Sequence, residues 1–253
     1  MVRFLSPSPQ AARLAAAFDA LGDAPATPDL CLVLGGDGSM LRAVHHYGGR
    51  YAYLGVNRGN LGFLMNDVAG TPAEVATTVV EALRSEGYTR SAFPRLRVRA
   101  RLTNEEIVND LAVNDTYIER MSGQTCHLRV TVDGVVAVER MVADGMVVAT
   151  PIGSTAYSFS AGGPAAHPLA RAMVMTAICP HRPRLAPVVL PAGSRVMIEV
   201  LDAEHRPARV VVDGVQHGQV AEVEVRGGGD EVTLCFLAGH DFTATMIRKI
   251  LHP

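Results

Sequence analysis

Tryptophan is absent from this chain of 253 residues, and aromatic residues make up only 5% of it. Any core must therefore be aliphatic. The 48% of apolar residues is enough to build one without staples. The four cysteines, Cys31, Cys126, Cys179 and Cys235, include no Cys-x-x-Cys pair, and all lie in apolar stretches. That pattern argues against a zinc site or a disulfide framework and reads as buried, reduced thiols. Neither sign of charge dominates. With 23 Lys and Arg against 25 Asp and Glu, nothing electrostatic points to a nucleic-acid partner. No apolar run is long enough to span a bilayer. Pro7, Pro9, Arg13 and Asp19 make the beginning a poor signal peptide. The expectation is a soluble protein of a reducing compartment, the cytoplasm.

The first third alternates β and α patterns. Val2 to Leu5 is a short apolar run, and Pro9 opens an Ala-rich helix to about Leu21. Leu30 to Leu34 is continuously apolar, as in a strand buried on both faces. Gly35 to Gly38 breaks it, a helix follows through His46, and Tyr51 to Val56 is the next strand. Thr71-Pro72-Ala73-Glu74 is a capping box whose helix should run to about Ser85. Such alternation implies a parallel sheet. Near residue 93 the pattern changes. Arg95 to Leu102 alternates strictly, so Arg95, Arg97, Arg99 and Arg101 read as a solvated strand face. Asp133-Gly134 and Asp213-Gly214 read as hairpin turns. Strands over 185–190, 195–201, 220–225 and 232–236 complete a mostly antiparallel unit, and Asp241 caps a closing helix to Leu251.

Chemistry concentrates in two places. The first is Gly35-Gly36-Asp37-Gly38-Ser39, between a buried strand and a helix N-terminus, where backbone N–H groups can approach phosphate oxygens. A carboxylate in such a turn repels phosphate. It makes sense as a base for a hydroxyl nucleophile, or as a route to Mg²⁺. The alternative is a plain strand-to-helix turn with Asp37 as N-cap. The second is the loop from Thr150 to Pro164, rich in hydroxyls and glycine with Tyr157 in its middle. It can hydrogen-bond an adenine edge and pack a ring, or be ordered without any ligand.

The motifs occur in the order Gly35-Gly36-Asp37-Gly38, Gly55 to Leu64, Val113-Asn114-Asp115, Asp144-Gly145 and Thr150 to Pro164. In this order and content the chain resembles the NAD kinase family from about residue 30 to 190. The resemblance implies an α/β domain with a parallel sheet over 1–92, taking the phosphate donor and rejoined by a closing helix over 241–253. It also implies a mostly antiparallel, β-rich NAD-binding domain over 93–240. It implies transfer of the γ-phosphate of ATP, or of another phosphoryl donor, to the 2′-hydroxyl on the adenosine side of NAD, with Mg²⁺ as the divalent metal. Asp37 would be the base, with Gly35, Gly36, Gly38 and Ser39 as the donor loop. Asn114 and Asp115 would hold the dinucleotide near its adenosine ribose, and Thr155, Ala156, Tyr157, Ser158 and Ser160 would surround adenine. Asp144 would accept a hydrogen bond from the nicotinamide amide, and Phe63 would line the pocket. Arg42 would reach phosphate and His127 would contact the dinucleotide; an exposed arginine and a structural histidine are their alternatives.

One departure stands out. The family often carries Asp-Gly-Gln in a C-terminal hairpin, its glutamine touching substrate. Here the run is Asp213-Gly214-Val215-Gln216, so Gln216 takes that role only if the turn is one residue longer. The apolar run Ala172 to Cys179 reads by composition as a buried core strand or helix, and alternatively as a subunit interface, because the resemblance implies a homodimer or homotetramer in which a residue near the position of Cys179 approaches a neighbour's dinucleotide. A lipid or sugar kinase sharing the first turn, and a dinucleotide sensor without catalysis, are the competing readings. Asp37 argues against the sensor, and the Thr150 loop argues against the lipid kinase. The neighbouring His45 and His46 point in different directions on a helix and make no metal pair; no protein metal site is expected.

Overall fold

The computed structural model describes residues 1–22, 27–58 and 62–251. Gly59, Asn60 and Leu61 of the second motif lie outside the described residues. The chain divides into two compact units: residues 1–93 with 231–253, and residues 94–230. No helix among the described residues is long and apolar enough to cross a membrane.

The first unit contains β1 (Val2–Leu5), α1 (Pro9–Ala20), β2 (Leu30–Gly35), α2 (Asp37–Tyr47), β3 (Ala52–Asn57) and α3 (Pro72–Arg84). It also contains the start of β4 (Tyr88–Leu102). β2 lies between β1 and β3 in parallel register, Leu34 facing Leu5 on one side and Val56 on the other. All six residues of β2 and of β3 are buried, which is why their sequences are apolar rather than alternating. Leu14 and Phe18 of α1 and Val75, Val79 and Leu83 of α3 pack with Leu30, Leu32 and Leu34. Each such buried side chain contributes about 1.5–3 kcal/mol. The capping box forms: the Glu74 carboxylate accepts from the Thr71 N–H at 2.7 Å, and the Glu74 N–H donates to the Thr71 hydroxyl at 3.4 Å.

The second unit is antiparallel. Its strands are β5 (Ile107–Ala112), β6 (Asp115–Arg120), β7 (Cys126–Val132), β8 (Val135–Ala143) and β9 (Gly145–Ala149). After the one-turn helix α4 (Tyr157–Ser160) come β10 (Ala172–Ile178), β11 (Val188–Pro191), β12 (Arg195–Leu201), β13 (Ala208–Val212) and β14 (Val215–Leu237). β14 pairs with β13 as far as Gln219 and with β12 from Glu222 onward. It thereby leaves one sheet, β13-β6-β9-β10-β11, for another, β12-β7-β8. An aliphatic core including Leu128, Val130, Met146, Val196, Ile198, Val210 and Val223 fills this unit. Both hairpin turns form, with Asp133 and Gly134 at φ 49° and 85° and Asp213 and Gly214 at φ 46° and 82°. Two successive positive φ angles suit the type I′ turn that asparagine or aspartate followed by glycine accommodates.

Three expectations need correction. Strands over 220–225 and 232–236 are one strand, because the backbone carries on through Gly228 and Gly229 at φ 78° and 97°. Arg95 is not on a solvated face: it is 8% exposed, while Arg97 and Arg99 are exposed. The closing helix is short, α5 (Phe242–Met246), continuing as a wider π turn over Ile247–Leu251. The run Ala172–Ile178 is strand β10, paired on both edges and buried at six of its seven residues. Its apolarity is accounted for by the core of its own unit.

Candidate functional site

In the first unit the glycine-rich turn is built by close approach. A Cβ on Gly35 would lie 2.4 Å from the Ser39 Oγ, so the first turn of α2 can sit against the end of β2 only with glycine there. Gly36 is the N-cap of α2 and Asp37 its first residue, where the N-terminal partial charge favours a carboxylate. The Asp37 carboxylate accepts from the Phe63 N–H (Oδ2, 2.7 Å) and the Leu64 N–H (Oδ1, 3.0 Å). A Cβ on Gly62 would lie 2.3 Å from the Asp37 Oδ1, so any other residue there would push that carboxylate aside. Two sequence motifs thus meet on one carboxylate. Arg42 donates to the Ser39 hydroxyl at 3.1 Å, over the start of α2. Arg58, whose N–H donates to the Gly35 carbonyl at 2.8 Å, has its Nε and Nη2 buried without a partner among the described residues. Burial holds its pKa down.

In the second unit Val113, Asn114 and Asp115 are gripped from two directions. From one, the Asp213 carboxylate accepts the N–H groups of Val113 (2.6 Å), Asn114 (2.8 Å) and Asp115 (3.2 Å). The Asp213 N–H donates back to the Asp115 carbonyl at 3.0 Å. From the other, the Thr150 N–H donates to the Asn114 carbonyl at 2.8 Å and the Thr150 hydroxyl to the Val113 carbonyl at 2.7 Å. Gly153 follows so closely that a Cβ there would stand 2.0 Å from the Asn114 oxygen. The loop and the Asn-Asp motif are therefore one construction. Within it the Asn114 Oδ1 is buried and without a partner among the described residues. Asp115 is 5% exposed, and burial together with the Asp213 charge pushes its pKa up to about 7. Asp213 is also raised, by burial first, while its three N–H bonds pull the other way.

The remaining loop residues divide by exposure. Thr155, Ala156 and Tyr157 are half-buried and Ser160 is exposed. The Tyr157 ring stands edge-on to Tyr117, centroids 4.9 Å apart, against Val147, Ala149 and Ile178. Ser158 faces inward: it is fully buried and bonded to the Thr176 hydroxyl at 2.9 Å. Ser154 anchors the loop, accepting from the Ala166 N–H at 2.8 Å. Asp144 is ion-paired with Arg120 at 2.8 Å, and Gly145 after it would clash with the Ile118 carbonyl if it carried a Cβ. Cys179 is exposed at the end of β10. His127 is buried in β7 beside the Arg140 guanidinium, at 3.3 Å, and burial holds its pKa down. Gln216 lies one register step beyond the Asp213-Gly214 turn, opposite Val211, and accepts from Arg209 at 3.0 Å. Asp213 and Gly153 were missed as site-building residues. Nothing but spatial proximity marks the first, and the second carries only the signal of a glycine inside a hydroxyl-rich loop.

The model of the ATP-NAD kinase N-terminal domain matches residues 16–86, and that of the ATP-NAD kinase C-terminal domain matches residues 113–232. The chain belongs to the NAD kinase family. The NAD kinase of Brucella suis is 35% identical over 87% of this chain and 84% of its own. That of Cereibacter sphaeroides (strain ATCC 17025) is 34% identical over 96% and 95%. Among solved structures, a yeast NADH kinase complexed with NADH is 29% identical with a TM-score of 0.77, covering 88% of this chain. The chain spans 65% of that enzyme's length. An Archaeoglobus fulgidus NAD kinase in complex with ATP, at 23% identity and a TM-score of 0.77 over 99% and 98%, shares the fold. The family's activity is the chain's activity: it is a phosphotransferase acting on NAD. Nothing in these similarities supports a lipid or sugar kinase.

Proposed function

We propose that the chain transfers the γ-phosphate of ATP to the 2′-hydroxyl of the adenosine ribose of NAD, with Asp37 as the general base. Asp37 holds one N–H bond on each oxygen, which fixes its orientation and leaves a lone pair on each for a proton. Gly35, Gly36, Gly38 and Ser39 present a helix N-terminus to the donor, with Arg42 above it. Asn114 and Asp115 take the adenosine ribose, and Thr155, Ala156, Tyr157 and Ser160 take adenine. The observation that carries the reading is the Asn114 Oδ1, a buried acceptor on a clamped segment without a partner among the described residues, where a ligand can donate.

Mg²⁺ fits as an ion that arrives with the donor. Among the described residues no three His, Cys, Asp or Glu side chains form a cage, and this ion usually takes phosphate oxygens with one or two carboxylates. Asp37 is the one acid of the glycine-rich turn, and the ion would neutralise phosphate charge there. Asp144 and Cys179 are assigned to the nicotinamide side and to an oligomer contact, in a protein that works in the cytoplasm.

Incubation of the purified protein with NAD, MgATP or polyphosphate, read out by an NADP-specific dehydrogenase, tests the donor. Asp144→Ala and Tyr157→Ala are expected to raise the NAD KM at least roughly tenfold, a loss near the size of a buried charged or aromatic contact. The ATP KM should stay within twofold. Equal losses for both substrates overturn the assignment of the loop.

A further inference from the structure

The grip of the Asp213 carboxylate on three successive backbone N–H groups is more than a hairpin needs. A type I′ turn closes with any residue that tolerates positive φ, asparagine included. Here the carboxylate turns away from its own hairpin to a segment about a hundred residues earlier. The three bonds fix the path from Val113 to Asp115 and hence the direction of the Asn114 and Asp115 side chains. A neutral acceptor would satisfy fewer of these groups and less strongly, since hydrogen bonds to an ionised acceptor are about twice as strong.

We infer that Asp213 is a positioning residue for NAD, its charged carboxylate holding Asn114 and Asp115 in the arrangement that receives the adenosine ribose. This rests on the reading of Asn114 and Asp115 as dinucleotide contacts. It concerns a residue that would touch no substrate atom and act through its neighbours.

The charge of Asp213 has a second effect, and this separates positioning from mere structure. Asp115 lies between this carboxylate and a buried environment, and the two together raise its pKa to about 7. Tyr117 on β6 and Tyr157 on α4 feel the Asp115 charge, and Glu119 on β6 and Arg209 on β13 act on those tyrosines in turn. Asp110 on β5, bonded at 3.1 Å to His217 on β14, acts on Asp213 in turn. An ionised Asp115 accepts from ribose hydroxyls with both oxygens, so NAD binding should strengthen as pH rises through about 7. Removing the Asp213 charge takes away one of the two causes and leaves burial. The midpoint then moves to lower pH.

The experiment is the pH dependence of the NAD KM, from pH 5.5 to 8.5, for wild type, Asp213→Asn and Asp213→Ser. Both replacements keep an acceptor and drop the charge, so a folding failure of one leaves the other. Thermal melting checks the fold and the ATP KM serves as the internal reference. The expected result is an NAD KM raised roughly tenfold at pH 8, an unchanged ATP KM, and a variant-to-wild-type ratio that shrinks towards pH 6. A ratio that is constant across pH, or an NAD KM equal to that of wild type, overturns the assignment. Asp115→Asn is measured alongside. If it leaves the NAD KM unchanged at every pH, the reading of Asp115 as a dinucleotide contact fails and the positioning role with it. If it raises the NAD KM while the Asp213 variants parallel wild type, the positioning role alone fails.

Discussion

Replacing Gly153 by alanine puts one methyl group where there is no room for it. The added Cβ would stand 2.0 Å from the Asn114 carbonyl oxygen, 2.3 Å from its carbon and 2.6 Å from its Cα. All three are backbone atoms, and the Asp213 carboxylate holds that backbone from the other side. Reaching a tolerable contact of about 3 Å needs a shift of about 1 Å. Such a shift stretches the 2.8 Å bond from the Thr150 N–H to the Asn114 carbonyl out of range. Overpacking of this kind costs about 1–3 kcal/mol, and the lost bond about 1 kcal/mol more. The sum, about 2–4 kcal/mol, lowers the melting temperature by roughly 5–15 °C at this chain length. Below the melting range the NAD KM should rise, because Asn114 moves, while the ATP KM should hold. Calorimetry with steady-state kinetics on the same preparation measures both. Gly123→Ala is the control: nothing lies within 4 Å of its Cβ, and it should match wild type within about 0.5 kcal/mol. A Gly153→Ala protein that melts with the control and keeps its NAD KM would refute the idea that the loop and the Asn-Asp segment are locked together.

Two further outcomes are expected. Asp37→Asn should keep the folded turn, since the amide oxygen still accepts one N–H, and lose turnover by about 10² or more with NAD still bound; near-normal turnover removes Asp37 as the base. Of the four thiols only exposed Cys179 should react quickly with a thiol reagent in the native protein. Burial pushes Cys31, Cys126 and Cys235 up to about 11 and shields them; a second fast equivalent would contradict that burial.

What could be read from the residues followed how local the signal was. The strand β2, the turn after it and the capping box of α3 each announce themselves within ten residues, through an apolar run, glycines or Thr-Pro-x-Glu. The order of motifs carried the family resemblance. Misreadings arose where local pattern and tertiary context part. Arg95 shares the alternation of its neighbours yet is buried, and three consecutive glycines at 227–229 look like a break inside what is one strand. The segment 172–178, open from its composition to a core strand or an interface, is a strand flanked by β9 and β11. Asp213 was legible as a turn residue, and its hold on Asn114 was not, because that contact exists only after the sheet has formed.

The first unit is not a contiguous piece of chain: it needs residues 231–253 as well as 1–93. The end of β14 pairs with β3 at Leu234 and Cys235, and the Asn66 amide waits for the Cys235 carbonyl and the Leu237 N–H. During synthesis, residues 94–230 can therefore close on themselves before the part that began first has its last strand. Until then β3 is an open edge, the kind of surface that pairs with the wrong chain. The unit holding the Asp37 turn is finished only when residues 231–237 join it. A product truncated before Glu231 carries the glycine-rich turn on a sheet that lacks its last strand, with the edge of β3 bare.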